Sequence, residues 1–252
     1  MDFSNKIILV TGAARGIGRA IAQAFAQRGG TVAVHYRASG AEAQALARAL
    51  PGQAHAAFRA DVSDPVACEK LVAEVTARYS RLDVLVNNAG IYEVRPLKNL
   101  SYTDWRTTWK NTLEANLVGP ANLCFLAAQV MMQQGGGKII NISSRGAFRG
   151  EPDAPAYGAA KAGLNQLSQS LAQALASYNI FVGVVAPGFV RTDMAAELLD
   201  GPQGEAIRKQ SPLNRVATPE EIAEAVIRLS ADGMMYATGC ILDVNGASYL
   251  RS

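Results

Sequence analysis

Histidine is nearly absent: His35 and His55 are the only two in 252 residues. A histidine-based metal site therefore has little material, and no metal is expected. Neither histidine lies near a nucleophile motif, which argues against a His-centred triad. Cysteine is also scarce. Cys68, Cys124 and Cys240 are far apart, odd in number and without a CxxC pair. That excludes a disulfide framework and points to a reducing, cytoplasmic setting. Charge is low and balanced: the formal net charge is +3 and no basic run stands out. No nucleic-acid partner and no anionic membrane surface is expected. No apolar segment reaches the roughly 18 residues of a membrane span. The opening "MDFSNKIILVTG" passes almost at once into a short apolar run and a Gly-rich turn, without the pattern of a signal peptide.

What is present is ordinary globular material, 49% hydrophobic and 18% charged. The length suits one large α/β domain spanning 1–252, with enough chain to bury a substantial core. Short apolar runs at 6–10, 31–36, 54–60, 82–87, 138–143, 180–186 and 240–244 read as strands. Several are almost continuously apolar, as parallel strands covered on both faces must be. Between them lie stretches with apolar residues three and four apart. In "TPEEIAEAVIRLS", Thr218 is placed to cap, Pro219 suits the first turn and Glu221 completes a capping box. Asp64 before Pro65 is a similar start. Alternating strands and helices predict a doubly wound α/β fold with a parallel sheet of about seven strands, and a ligand crevice at the strands' carboxyl ends. The segment 199–216, rich in Gly, Pro and charge, reads as a mobile surface segment and a lid candidate.

"VTGAARGIGRAIAQAF" follows the first strand directly and opens a helix. Gly12, Gly16 and Gly18, with Arg15 and Ile17 between them, form a tight turn that lets the backbone approach a phosphate at a helix N-terminus. Dinucleotide folds usually carry an acid at the end of the second strand, to hold the adenosine ribose. Residues 31–41 contain no Asp or Glu; Tyr36 stands in that place, with Arg37 and Ser39 after it. Two guanidiniums, Arg15 and Arg37, suit a 2′-phosphate that an acid would repel. NADP(H) is therefore expected over NAD(H).

Tyr157 and Lys161 in "YGAAK" lie four residues apart. On a helix they share a face. A cation beside a phenol favours the phenolate and lowers its pKa from the usual value near 10.

The chain carries "TGAARGIG" at 11–18, "DV" at 61–62, "NNAG" at 87–90, "AN" at 115–116, "SS" at 143–144, "YGAAK" at 157–161 and "PGFVRT" at 187–192. In this order and along nearly the whole chain, these motifs resemble the short-chain dehydrogenase/reductases. "PLNRVATPEEIA" and "TGCILDVNGASYL" look most like the 3-oxoacyl-acyl-carrier-protein reductases within them. The resemblance implies a single Rossmann-type domain that moves a hydride between nicotinamide and a carbonyl or secondary alcohol. It implies that Tyr157 is the general acid or base, that Lys161 lowers its pKa and holds the nicotinamide ribose, and that Ser144 binds the substrate oxygen. Asn116 would hold a water in a proton relay. Asp61 and Val62 would line the adenine site, and Asn88, Ala89 and Gly90 would support the cofactor. Pro187, Gly188, Val190 and Thr192 would hold the nicotinamide amide and a nearby phosphate. Relatives are usually homotetramers built through two long helices, here spanning 101–133 and 154–177, and through the C-terminal strand.

The chain departs from that pattern in places that bear on the substrate. Where the carrier-protein reductases present basic residues, it has Gln129 and Gln173, which weakens steering toward an acidic carrier. Gly183 stands where relatives often have Asn. The loop after Ser144 carries Arg145, Arg149, Glu151 and Asp153 around Phe148, read either as recognition of an anionic or polar substrate or as a solvated loop with internal ion pairs. Tyr92 and Arg95 are candidates for the opposite wall. A 3-oxoacyl reductase, a reductase of small ketones, sugars or other alcohols, and a non-catalytic nucleotide-binding regulator all remain open at this point.

Overall fold

The computed structural model describes residues 1–251, apart from the side chains of Asn99, Asp193, Met194 and Glu197. Seven strands, β1 (Ile7–Val10), β2 (Thr31–Tyr36), β3 (Ala56–Arg59), β4 (Val84–Asn87), β5 (Gly137–Ile142), β6 (Ile180–Pro187) and β7 (Ile241–Val244), form one sheet in the order β3-β2-β1-β4-β5-β6-β7. Every pairing is parallel. The helices are α1 (Gly16–Ala26), α2 (Gly40–Ala49), α3 (Pro65–Tyr79), α4 (Tyr102–Leu113), α5 (Gly119–Gln133), α6 (Gly146–Arg149), α7 (Pro155–Leu175), α8 (Asp193–Asp200), α9 (Gly204–Arg208) and α10 (Pro219–Ser230). This is the expected doubly wound architecture. Strand order reverses between β1 and β4, so a crevice opens at their carboxyl ends.

The apolar runs explain the layers. In β1, Ile8 and Val10 face one side, where they join Ile21, Phe25 and Val226 of α1 and α10. Leu9 faces the other side, with Leu71, Leu123 and Met131 of α3 and α5. The two-residue period of a strand thus feeds two cores. Helix starts follow the sequence as well. Asp64 accepts from the Val66 N–H with Pro65 in the first turn, and Thr218 and Glu221 form the expected capping box.

One expectation is corrected and another gains detail. The helical run Tyr102–Gln133 is long and apolar enough, by length and composition, to cross a membrane, and half of its most apolar window is buried in the fold. Its apolarity serves the core: Leu123, Cys124, Ala127, Ala128 and Met131 all pack against the sheet. Residues 199–216, read as a mobile surface segment and lid candidate, carry structure of their own. They hold α9, and Leu199, Ile207 and Val216 make a small buried cluster with Phe189 and Ala195.

Gly183 now has a physical account. A Cβ there would stand 2.6 Å from Cε1 of Phe181, whose ring folds across the glycine while the Lys138 ammonium lies 5.4 Å from the ring centroid. The glycine makes room for that ring. Gly183→Ala is expected to overpack this layer and destabilise the protein by about 1–3 kcal/mol in denaturant titrations. An unchanged midpoint would show that the Phe181 ring moves aside freely.

Candidate active site

The Gly-rich turn sits where the sheet reverses. Gly12 and Gly16 have φ of +63° and +53°, a region that favours glycine. At Gly18 a Cβ would lie 2.3 Å from the Gly12 carbonyl oxygen, so only glycine lets α1 start so close to the turn. The N-terminus of α1 has no capping side chain and no acid in its first turn. Its N–H groups and dipole are left for an anion.

Three side chains from elsewhere hold this turn. The Thr11 hydroxyl accepts from the N–H groups of Asn88 and Ala89, both at 2.9 Å. Asn88 Nδ2 donates to the carbonyls of Thr11 and Gly12 at 2.8 and 3.2 Å. His35 was read only as too little for a metal site, yet it accepts from the Gly12 N–H at Nδ1, 3.0 Å away. That fixes the proton on Nε2, which faces the Ala60 carbonyl at 3.2 Å. Burial holds His35 down at about 4, so the ring stays neutral at ordinary pH. A histidine inside an apolar β2 run, one strand from the turn, was the available clue.

At the end of β2, Tyr36 packs beside Gly40, and Ser39 occupies the position before α2. Arg15 and Arg37 are exposed. Arg37 lies 3.8 Å from Asp61, and both are well solvated. Such a pair is worth only about 0–1 kcal/mol, so Arg37 is free to turn to another anion. Burial raises the Asp61 carboxyl, but hydrogen bonds from Ser63, aided by Arg37, outweigh it and leave it lowered. Val62 is buried beneath this region.

Ser143 and Ser144 follow the end of β5, and Tyr157 and Lys161 lie one turn apart on α7. Lys161 is 5% exposed and donates to the Ile142 carbonyl at 2.8 Å. Its ammonium is 5.7 Å from the centroid of the Tyr157 ring. The expected lowering of the phenol is not what this arrangement produces. Burial pushes the half-buried Tyr157 up to about 12; Ser144 pulls it down, and Glu151 and Tyr92 push it further up. Burial also brings Lys161 down to about 8. The cation donates to the Ile142 carbonyl, and it is not among the groups that shift the Tyr157 phenol.

Asn116 is fully buried in a π-helical turn, Glu114–Val118, between α4 and α5. Such turns recur at functional sites. Its side-chain oxygen accepts from Ile91 N–H and its amide donates to the Ile91 carbonyl, both at 2.8 Å. The side chain is thus a clamp on the loop after β4. Gly90 is small for the same reason: a Cβ there would lie 2.7 Å from Asn116 Oδ1. On the far side, Gly188 sits against Asn245, Val190 is buried and Thr192 reaches Gly16, where a Cβ would lie 3.3 Å from its methyl group. Pro187 accepts from Arg145 N–H at 2.9 Å.

Neither reading of Arg145 holds. It is 4% exposed, donates to Ser248 and Gln210, and its guanidinium lies 4.9 Å from the Phe189 ring centroid. It ties the start of the loop to the C-terminal segment beside a cavity of about 280 Å³. Phe148 stacks on Tyr249 at 6.5 Å and strengthens the same tie. Opposite, Tyr92 meets Tyr157 edge to face at 4.9 Å, and Arg95 N–H donates to the Asp153 carbonyl at 2.7 Å.

A doubly wound sheet, a glycine turn at its switch point and a tyrosine–lysine pair beside it define a nucleotide-dependent class of fold. Residues 12–247 match a family model described as enoyl-(acyl carrier protein) reductase. The chain is 40% identical to the 3-oxoacyl-[acyl-carrier-protein] reductase FabG of Escherichia coli, over 99% of its own length and 100% of that protein. It is 37% identical to D-threitol dehydrogenase of Mycolicibacterium smegmatis, over 98% of this chain and 94% of the relative. A crystal structure of a short-chain dehydrogenase from Burkholderia cenocepacia in complex with NADP superposes with a TM-score of 0.89 at 33% identity, covering 98% of this chain and 99% of that one. The chain belongs to the short-chain dehydrogenase/reductase family, and it is an oxidoreductase of CH–OH and C=O groups.

His35 yields a prediction with a definite sign. Its pKa falls from 6.5 to about 4 on folding, so the unfolded chain binds more protons between these values. The contribution is complete above pH 6.5 and is lost as pH falls toward about 4, roughly 3 kcal/mol in all. His35→Gln should flatten the pH dependence of unfolding free energy across that window. Equal slopes in both proteins would remove His35 from the account.

Proposed function

We propose that the protein is a single-domain, NADPH-dependent reductase of carbonyl groups that also runs in reverse with NADP+ and a secondary alcohol. The observation that carries this is the meeting of Ser144, Tyr157 and Lys161 at the carboxyl end of β5, beside the glycine turn. The uncapped start of α1 and the absent side chain at Gly18 fit a pyrophosphate. Arg15, Arg37 and Ser39, with no acid nearby on β2, fit a 2′-phosphate. Asp61 and Val62 line the adenine side; Asn88, Ala89 and Gly90 and then Pro187, Gly188, Val190 and Thr192 border the nicotinamide side. When bound, the cofactor supplies or accepts the hydride.

The protein's own residues manage the proton. As the carbonyl carbon is reduced, negative charge grows on its oxygen, and two hydroxyl donors, Ser144 and Tyr157, stabilise it. Tyr157 then gives up its proton. A phenol at about 12 is a poor source of a stable phenolate at neutral pH. Lys161, one turn along α7, would counter this were its ammonium to turn from the Ile142 carbonyl toward the phenol oxygen, and it would also hold the nicotinamide ribose. Asn116 contributes through the backbone of its π-turn, because its side chain is engaged with Ile91.

Gln129 and Gln173 are both exposed and uncharged, which favours a small carbonyl over a carrier-bound chain. The protein works in the cytoplasm as a homotetramer. The exposed Val118 and Phe125 on the α4–α5 run are apolar surface suited to contact with a second copy.

Tyr157→Phe should lower turnover by roughly 10³-fold while NADPH still binds; NADPH oxidation at 340 nm and fluorescence titration separate the two effects. Activity surviving that change would sink the mechanism. Arg37→Ala should cut the preference for NADPH over NADH about tenfold, read as the ratio of kcat/KM values. An unchanged ratio would place the 2′-phosphate elsewhere.

A further inference from the structure

Glu151 is the one acid of the substrate loop whose carboxylate is turned inward. It is half-buried, while Arg149 and Asp153 are exposed. Its position is set by two glycines. A Cβ on Gly146 would lie 2.5 Å from Glu151 Oε1, and one on Gly158 would lie 3.8 Å from Glu151 Cβ. Gly146 follows Ser144 by two residues and Gly158 follows Tyr157 directly, so Glu151 packs against the two segments that carry the candidate donors. Its backbone is held as well, since Ala154 N–H donates to the Glu151 carbonyl at 3.0 Å.

Among the described residues, this carboxylate has no ion pair within 4.0 Å and no side-chain hydrogen bond. Of the nearby cations, Arg145 is engaged with Ser248 and Gln210 and Arg95 with Glu93, while Arg149 is exposed. Tyr92 is edge-on to Tyr157, and its phenol is pushed up chiefly by burial, with Glu151 and Asp153 adding to the shift and Arg149 opposing it. A carboxylate accepts hydrogen bonds and donates none. Covering it with an acyl chain would strand a buried charge without a partner.

We infer that Glu151 is a specificity-determining residue whose carboxylate accepts hydrogen bonds from substrate hydroxyls, so that the substrate is a short polyhydroxylated ketone or the matching polyol. This rests on the reductase reading above and deepens it. The hydroxyls beside the reacting carbon meet Glu151, with Tyr92 as the opposite wall, and the carbonyl oxygen is left to Ser144 and Tyr157. An apolar ketone of equal length lacks the donors and leaves the carboxylate bare. A site built around such a polar group rejects analogues that lack the hydroxyl.

The test compares NADPH-dependent reduction of erythrulose, 2-butanone and acetoacetyl-CoA by the wild type, Glu151→Gln, Glu151→Leu and Glu151→Asp. The wild type should favour erythrulose. The erythrulose-to-butanone ratio of kcat/KM should fall roughly tenfold to a hundredfold in Glu151→Gln and Glu151→Leu, mostly through KM. Glu151→Asp should recover part of it. A ratio that does not move, or a wild type that prefers 2-butanone or acetoacetyl-CoA, overturns the inference and leaves the reductase reading intact. If the wild type reduces none of the three, the reductase reading itself is in question. Glu151 is then decided by thermal shift of the NADP+-bound protein with threitol: a shift in the wild type absent from Glu151→Gln upholds its role, and no shift in the wild type refutes it.

Discussion

A lysine ammonium held inside the fold, with the Ile142 carbonyl as its hydrogen-bond acceptor, is the constraint on which the proposed chemistry depends. Burial brings Lys161 down to about 8 and lifts Tyr157 to about 12. Each group is thereby made less comfortable in its charged form. A lysine depressed in this way costs stability at neutral pH, and the cost fades as pH rises from about 8 toward 10.5. The helical spacing of α7 sets the ammonium 5.7 Å from the centroid of the phenol ring.

The frame around the pair keeps the cofactor turn and the substrate loop in fixed relation. Thr11, Asn88 and His35 tie the glycine turn to β4 and β3. Asn116 ties the loop after β4 to the π-turn, and Arg145 ties the substrate loop to the C-terminal segment. Apart from the Arg145 guanidinium, these contacts join neutral groups. They are strong in a dry interior.

Much of this was legible in the amino-acid order. Apolar runs marked every strand to within a few residues, because parallel strands covered on both faces are predominantly apolar. The glycine turn and the Thr218–Glu221 capping box are local, so their spacing was enough. What could not be read depends on long-range side-chain contacts. Arg145 meets partners 65 and 103 residues away, and His35 meets Gly12 across two strands. The engagement of Asn116 with Ile91 and the folding of the Phe181 ring over Gly183 are of the same kind. The direction of the Tyr157 shift was misjudged because four-residue spacing sets which face a cation shares, but not which acceptor it chooses.

The central claim is that Tyr157 is poised as a high-pKa phenol and becomes an effective acid–base group when the bound cofactor draws Lys161 toward it. Ultraviolet difference titration at 295 nm, wild type minus Tyr157→Phe, reads that phenol directly, with and without NADP+. The account predicts no Tyr157 phenolate below about pH 10 in the free protein and a clear downward move of its titration when NADP+ is bound. A phenolate already present near neutral pH in the free protein, or a titration that does not move with NADP+, would contradict it.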